Sequence, residues 1–461
     1  MNQEKSFFKS VCNLAIPVAL QSMLQASFSM VDQIMIGQLG SVAVAGVGLA
    51  GKFSSIYSVV VSAIGAVAGI MISQYLGQQK KGEVKRSFFL NLVIACGFAL
   101  FFMLGCVLLP EQIMGIYSRD IATIKAAARY LMIIAGTFLP LAGATLLSTL
   151  FRCMEKATLP LIASLVAAVT NTVLNYILIF GKAGCPNLGE KGAAIATVVS
   201  QIVNFGIMFV MCMKYRHLFE KKSDTKAQLE AQMDNRTFHG VVGGHHFCWK
   251  QYMEMLLPIL VCELLWSLGE NVYTIIYGHL GTDSCAAMTL INPIQGLMIG
   301  ALCGLSQAAS VIVGKRLGNK SYDEAYDEAK KLIWYGLIGA ICLSVVIVCT
   351  RSLYVSIYQV EENVKELTKQ ILLAYALVAP FKVLNMILSG GIIRSGGKTK
   401  YVMYIDMIGT WGFGVPLGLL SAFVFKLSIP YVYFILSLEE CVRFAISVAV
   451  FKKKKWMQSL S

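Results

Sequence analysis

The sequence predicts an all-α membrane protein: twelve transmembrane helices in two six-helix lobes, related by a pseudo-twofold axis along the membrane normal. Three observations predict it. The chain has 57% hydrophobic and 14% charged residues over 461 positions, with a mean hydropathy of +0.68. Soluble domains carry about 25% charged residues. Twelve apolar windows are each long enough, as helices, to cross the ~30 Å hydrocarbon layer. The chain also repeats itself at a fixed offset of 241 residues.

The windows run 14–36, 43–76, 88–109, 126–149, 158–180 and 192–213 in the first half. The second half supplies 253–278, 285–313, 332–350, 367–389, 401–423 and 429–451. Span 1 ends in "SMVDQIMIGQLG", where Asp32 is a carboxylate inside an apolar run. A charge there costs roughly 2.5–3.5 kcal/mol unless a partner is found. Span 2 contains "GVGLAG" at 46–51, which reads as a small-residue packing face because no β-α-β unit surrounds it. It also carries Lys52. Asn171 and Asn175 in span 5 are four apart and share one helix face. Thr197 in span 6 lies in a Gly/Ala-rich run that permits close helix approach. Span 7 carries Glu263, Glu270 and Tyr273; span 10 carries Lys382 and span 11 carries Asp406. Glu439, Glu440 and Arg443 in span 12 are one turn apart and are expected to pair with each other.

Charge placement sets the orientation. Of 39 Lys and Arg, 27 fall on the side of both termini and 9 on the other; Lys52, Lys382 and Arg443 lie within spans. By the positive-inside rule both termini are cytoplasmic, and the expected location is the plasma (inner) membrane. The net charge of +14 is thus a topology signal, and nucleic acid is not an expected partner. The first segment is too long for a cleaved signal peptide, and no small-residue cleavage site precedes its polar end. The thirteen cysteines are scattered through apolar runs, which is neither a disulfide framework nor a zinc pattern.

The repeat pairs Pro17 with Pro258, Gly37 with Gly278, Leu76-Gly77 with Leu317-Gly318, and Ile116-Tyr117 with Ile357-Tyr358. Six spans return each half to its starting side, so the halves share one orientation, as in parallel-repeat transporters. The expected domains are a lobe over 1–213, a polar cytoplasmic linker over 214–250, and a lobe over 251–461.

The stretches "VDQIMIGQLG", "SQYLGQQKKGEVKRS", "NTVLNYILI", "GEKGAAIATVVSQ", "ELLWSLGENVYTIIYGHLGTDSCAAM", "VGKRLGNKSYDEA" and "IIRSGGKTKY" follow one another in order. Together they resemble the MATE (multidrug and toxic compound extrusion) family of secondary transporters, over nearly the whole chain. Two turns depart from the family pattern. "RSGGK" has Lys398 where the family commonly has an acid, and "FRCMEKATLP" lacks the usual glycines. The resemblance implies export of organic, cationic or amphipathic compounds in exchange for Na⁺ or H⁺, by alternating access, without ATP or any cofactor. The lipid bilayer is the other partner, and a monomer is expected. A lipid or glycan-lipid flippase of related architecture is the alternative.

The resemblance also implies a cation-coupling site at Asp32, Asn171, Asn175 and Thr197. A carboxylate, two amide oxygens and a hydroxyl suit a small hard cation, so Asp32, Asn171 and Asn175 are candidate Na⁺ ligands. The same cluster, drier, favours a proton. The second half is not a copy: at offset 241, Asp32 becomes Tyr273, while Ser22 and Ser29 become Glu263 and Glu270. Glu263, Glu270, Tyr273, Lys52 and Asp406 are the candidate substrate-cavity residues, with internal pairing to a base such as Lys382 the alternative for the glutamates.

Other signals are weaker. "GGKT" at 396–399 lacks the earlier glycine of a phosphate loop, since position 392 is Ile. "HGVVGGHHF" reads as solvated linker. No H-E-x-x-H or G-x-S-x-G occurs, and no catalytic cluster is visible, so the protein is not expected to be an enzyme.

Overall fold

The computed structural model describes residues 2–39, 41–117, 120–182, 184–215, 249–358 and 360–460. The central linker, except its ends, and the histidines of "HGVVGGHHF" lie outside the described residues. All described secondary structure is helical. This follows from the composition, since only intrasegment hydrogen bonding satisfies the backbone of a single span in lipid.

The first half contains α1 (Asn2–Gly37), α2 (Ser41–Gly77), α3 (Lys81–Leu108) and the short α4 (Pro110–Gly115). It continues with α5 (Ile121–Ile134), α6 (Phe138–Cys153), α7 (Thr158–Phe180) and α8 (Glu190–Lys214). The second half contains α9 (Trp249–His279), α10 (Thr282–Gly318), α11 (Tyr322–Ser356), α12 (Glu362–Asn385) and α13 (Thr399–Asp406). After these come α14 (Val415–Leu419), α15 (Ile429–Ser437) and α16 (Glu439–Lys452). The repeat is visible in the helix ends, since α2 and α10 are each 37 residues long and begin and end 241 residues apart.

Among the described residues, eleven helices are long and apolar enough to span a membrane. They correspond to the first eleven windows. The twelfth window is present but broken at Leu438 into α15 and α16, neither long enough alone. The break places Glu439 and Glu440 in the first turn of a new helix, where acidic side chains are favoured.

The chain divides into two compact units, Leu24–Lys250 and Met1–Met23 with Gln251–Ser461. The sequence reading assigns residues 1–213 to one lobe; by packing, the first 23 residues group with the second unit. The cause is local. Gly304 on α10 has no Cβ, and the Ala15 carbonyl occupies that space. Ser22 Oγ then lies 3.0 Å from Cys303 Sγ.

In the Leu24–Lys250 unit, α2 packs on α5 through Gly46, whose added Cβ would meet the Ala127 amide at 3.0 Å. Tyr57, fully buried, donates its hydroxyl to the Phe138 carbonyl at 2.7 Å. Gly46 alone of the "GVGLAG" glycines serves as a packing surface, since Gly48 and Gly51 have nothing within 4 Å of a built Cβ. The pair α7 and α8 approaches closely at Gly192, where a Cβ would meet the Leu178 carbonyl at 2.7 Å. Gly181 ends α7 with φ 65, a left-handed conformation that glycine adopts at no steric cost.

In the other unit, α12 continues as a π-helix over Met386–Ile393, and α13 over Met407–Gly414. A π turn widens the helix and re-aims the side chains around it. Asn385, Ser389, Asp406 and Thr410 sit at or within these two segments. Ser306 Oγ donates to the Met386 carbonyl at 2.6 Å, tying the first π segment to α10. The fully buried Trp456 packs its backbone on Gly396 and fixes the turn that follows Arg394.

Candidate functional site

In the Leu24–Lys250 unit, Asp32, Asn175, Asn171 and Thr197 form one continuous polar chain. Asn175 Nδ2 donates to Asp32 Oδ1 at 2.5 Å and to Asn171 Oδ1 at 3.1 Å. Asn171 Nδ2 donates to Thr197 Oγ1 at 3.3 Å, and Thr197 Oγ1 donates to the Ala193 carbonyl at 2.9 Å. The one-face spacing of the asparagines makes the second bond. The close α7–α8 approach at Gly192 makes the third. Asn175 is fully buried, while Asp32, Asn171 and Thr197 are half-buried.

One atom in this chain is left over. Asn175 Oδ1 is buried without a hydrogen-bond partner. Such an acceptor costs roughly 1–3 kcal/mol if nothing binds it. An orphaned amide oxygen beside a carboxylate suits a small hard cation, which favours oxygen ligands. Tyr130, buried on α5, lies within the electrostatic reach of Asp32. Sequence spacing offers no route to Tyr130, because it lies in a different span at no fixed interval.

The other unit holds a larger polar assembly around two adjoining cavities. The first, about 530 Å³, is lined by Glu270, Tyr273, Lys382, Glu439 and Glu440 with an aromatic wall of Trp266, Tyr277, Tyr375 and Tyr433. The second, about 240 Å³, is lined by Glu263, Arg394, Asp406 and Arg443, and shares Lys382 and Glu440 with the first. Tyr273 donates to Glu439 Oε2 at 2.6 Å. Arg443 pairs with Asp406 and lies 3.5 Å from Glu440 Oε1. Asn385 Nδ2 donates to the carbonyl and to Oε2 of Glu440, each at 2.8 Å. Cys262 Sγ donates to Asp406 Oδ2 at 2.7 Å. Two glycines make room for this: the Arg443 stem occupies the space of a Cβ at Gly409, and the Glu439 carboxylate and Tyr273 hydroxyl occupy that at Gly414.

The structure sorts the substrate-cavity candidates. Glu270 and Tyr273 face the larger cavity, and Glu263 and Asp406 face the smaller. Glu263 is paired, through Arg394 Nη2 at 3.2 Å rather than through Lys382. The span 12 expectation needs correction. Arg443 does meet Glu440, but Glu439 is held by Tyr273 and the main partner of Arg443 is Asp406. The reason is competition from other helices: Glu439, Glu440 and Arg443 share α16, but Asp406 at the end of α13 and Tyr273 on α9 reach into the same cluster. Lys52 belongs to the Leu24–Lys250 unit. It is exposed on α2, and its carbonyl accepts from Ser55 Oγ. The tyrosine wall was missed by the sequence reading; aromatic residues in apolar spans carry no positional signal.

Described secondary structure that is helical throughout and of membrane-spanning length, in a chain built as two repeats with polar clusters inside the spans, defines a multi-pass membrane transporter. The MatE family model matches residues 17–177 and 258–420, and the chain belongs to that family. The chain is 21% identical to the uncharacterized transporter YisQ of Bacillus subtilis (strain 168), over 99% of this chain and 96% of that protein. It is also 21% identical to a probable multidrug resistance protein NorM of Thermotoga maritima, over 97% of this chain and 93% of that one. Its fold matches a crystal structure of a point mutant of the Vibrio cholerae MATE transporter VcmN. The TM-score is 0.86 at 17% identity, covering 99% of this chain and 100% of that one. An outward-facing conformation of a multidrug resistance MATE transporter matches with a TM-score of 0.84 at 15% identity, over 97% and 96% of the two chains.

Proposed function

We propose that this protein is a secondary antiporter of the plasma membrane that exports organic compounds, cationic or amphipathic, in exchange for Na⁺ or H⁺ by alternating access. The observation that carries this reading is the chain Asp32–Asn175–Asn171–Thr197 with its orphaned Asn175 Oδ1. A carboxylate inside an apolar span, held by an amide and flanked by a free acceptor, is a place for one cation to load and unload. The named multidrug proteins to which the chain is similar support the substrate class. The aromatic wall and carboxylates of the 530 Å³ cavity supply the matching chemistry, since ring faces and acids both attract organic cations.

The energetics suffice without ATP. The ion biases the transporter only by its differential affinity for the two access states. One charge moved down 100 mV supplies about 2.3 kcal/mol. That sustains a gradient of roughly fiftyfold for a neutral substrate, at 1.4 kcal/mol per decade. The protein acts as a monomer with both termini cytoplasmic.

Reconstitution tests the reading. Proteoliposomes are loaded with a cationic dye and subjected separately to a Na⁺ gradient and a pH gradient. Dye movement against its own gradient under one of them is the expected result. Movement that ignores both gradients, in protein that is folded and inserted, sinks it.

A further inference from the structure

The charged side chains around the two cavities of the Gln251–Ser461 segment are not equivalent. Arg394 is paired with Glu263, and Arg443 with Asp406 and Glu440. Glu439 accepts from Tyr273, and Glu440 also accepts from Asn385. Glu270 and Lys382 differ: among the described residues neither side chain has a hydrogen bond or a close ion pair, and Lys382 lies within the electrostatic reach of Glu439 without contacting it. Both face the 530 Å³ cavity, and among the described residues Lys382 is the one basic side chain lining it.

An ammonium has three donors and no acceptor. Within an apolar span it is retained at a cost, and such residues mark substrate or ion paths. In this cavity Lys382 works against any ligand whose only charge is positive. It is complementary to a ligand that brings an anionic group of its own, while Glu270 faces the cation of the same ligand. The wall of Tyr277, Tyr375 and Tyr433 takes the flat apolar body.

We propose that Lys382 is the specificity-determining residue of this cavity, selecting aromatic amphiphiles that carry a carboxylate as well as a cation over the same compounds carrying the cation alone. The proposal rests on reading the cavity as the substrate site. It narrows the exported compounds from cations in general to zwitterions.

A xanthene dye with a free carboxylate and its methyl ester are the probes, being alike in shape and cation and different in the anion. Equilibrium binding to the purified full chain is read by fluorescence polarisation. Lys382→Met is expected to weaken the acid dye about tenfold, the scale of one charge-assisted hydrogen bond, and to leave the ester equal or tighter. Lys382→Arg keeps the acid-to-ester ratio within about twofold of wild type. An unchanged ratio in Lys382→Met overturns the proposal. If that variant is not monodisperse, the wild type decides: acid bound at least as tightly as ester supports the assignment, and tighter ester binding overturns it. Failure of ion gradients to move either dye would count against the antiport reading alone, because the binding ratio needs no gradient.

Discussion

Tyr273 donates its hydroxyl to Glu439 at 2.6 Å, joining α9 to the first turn of α16. Tyr273 stands, one repeat later, where Asp32 stands in the first half. Each half therefore has a polar group at this place in its first helix, but one accepts and the other donates. Tyr273→Phe removes the donor and leaves a buried carboxylate short of a partner. A loss of about 1.5–3 kcal/mol is expected for a hydrogen bond to a charged group. Thermal unfolding in detergent checks it, and an unchanged midpoint refutes it.

Asp32→Asn keeps the side-chain size and removes the charge. The variant is expected to be inserted and to bind substrate, yet to lose ion-driven transport by at least about tenfold. Removing one member of a buried polar pair can also destabilise the fold, so monodispersity is measured first. Asn171→Ala and Asn175→Ala remove one neutral ligand each and should reduce coupling less. Wild-type rates for Asp32→Asn under both Na⁺ and pH gradients would assign the carboxylate to packing.

The two span 7 glutamates should behave differently. Glu270→Gln removes an unpaired acid from the larger cavity, so binding of a cationic dye should fall several-fold more than that of a neutral analogue. Glu263→Gln instead leaves Arg394 without its ion pair. Its expected signature is a lower unfolding midpoint with equal effects on both dyes. The reverse assignment of the two effects would contradict this reading.

Orientation is tested by Glu230→Cys in the central linker. Exposed native thiols such as Cys342 and Cys349 must first be replaced. The charge asymmetry predicts no reaction with an impermeant maleimide in intact cells and full reaction after permeabilisation. Labelling of intact cells would invert the topology.

The helices were legible because their signal is long-range and redundant. Apolar windows and the repeat offset both locate α2 and α10; the windows miss the ends by one to five residues, while the offset of 241 relates the observed ends of the two helices to the residue. Asn171 and Asn175 were legible because a spacing of four fixes a shared face. Thr197 was reachable because small residues such as Gly192 announce close packing. The wiring in the second unit was not legible. Which acid meets Arg443 depends on where Asp406 lands, just before a π segment, and such a segment has no one-residue signature in an apolar run. Arg394 read as a loop base, yet the helix carries it to Glu263. Pairing with a base such as Lys382 was the alternative reading for the span 7 glutamates; Glu263 is paired, but with Arg394.

The π segments bear on how the two halves diverged after duplication. The stretches that match the family begin 241 residues apart and end 243 apart, so the later copy is two residues longer. Each loosely wound turn absorbs additional length without displacing the helix ends. The second copy thus had a way to accept insertions inside the bilayer, where a looped-out residue would expose its amide to lipid. In a regular α-helix one added residue would turn everything beyond it by about 100° around the axis, whereas a π turn takes that residue up locally. Asp406 and Thr410, just before and in the middle of the second such segment, are the residues it presents to Arg443 and Gly269.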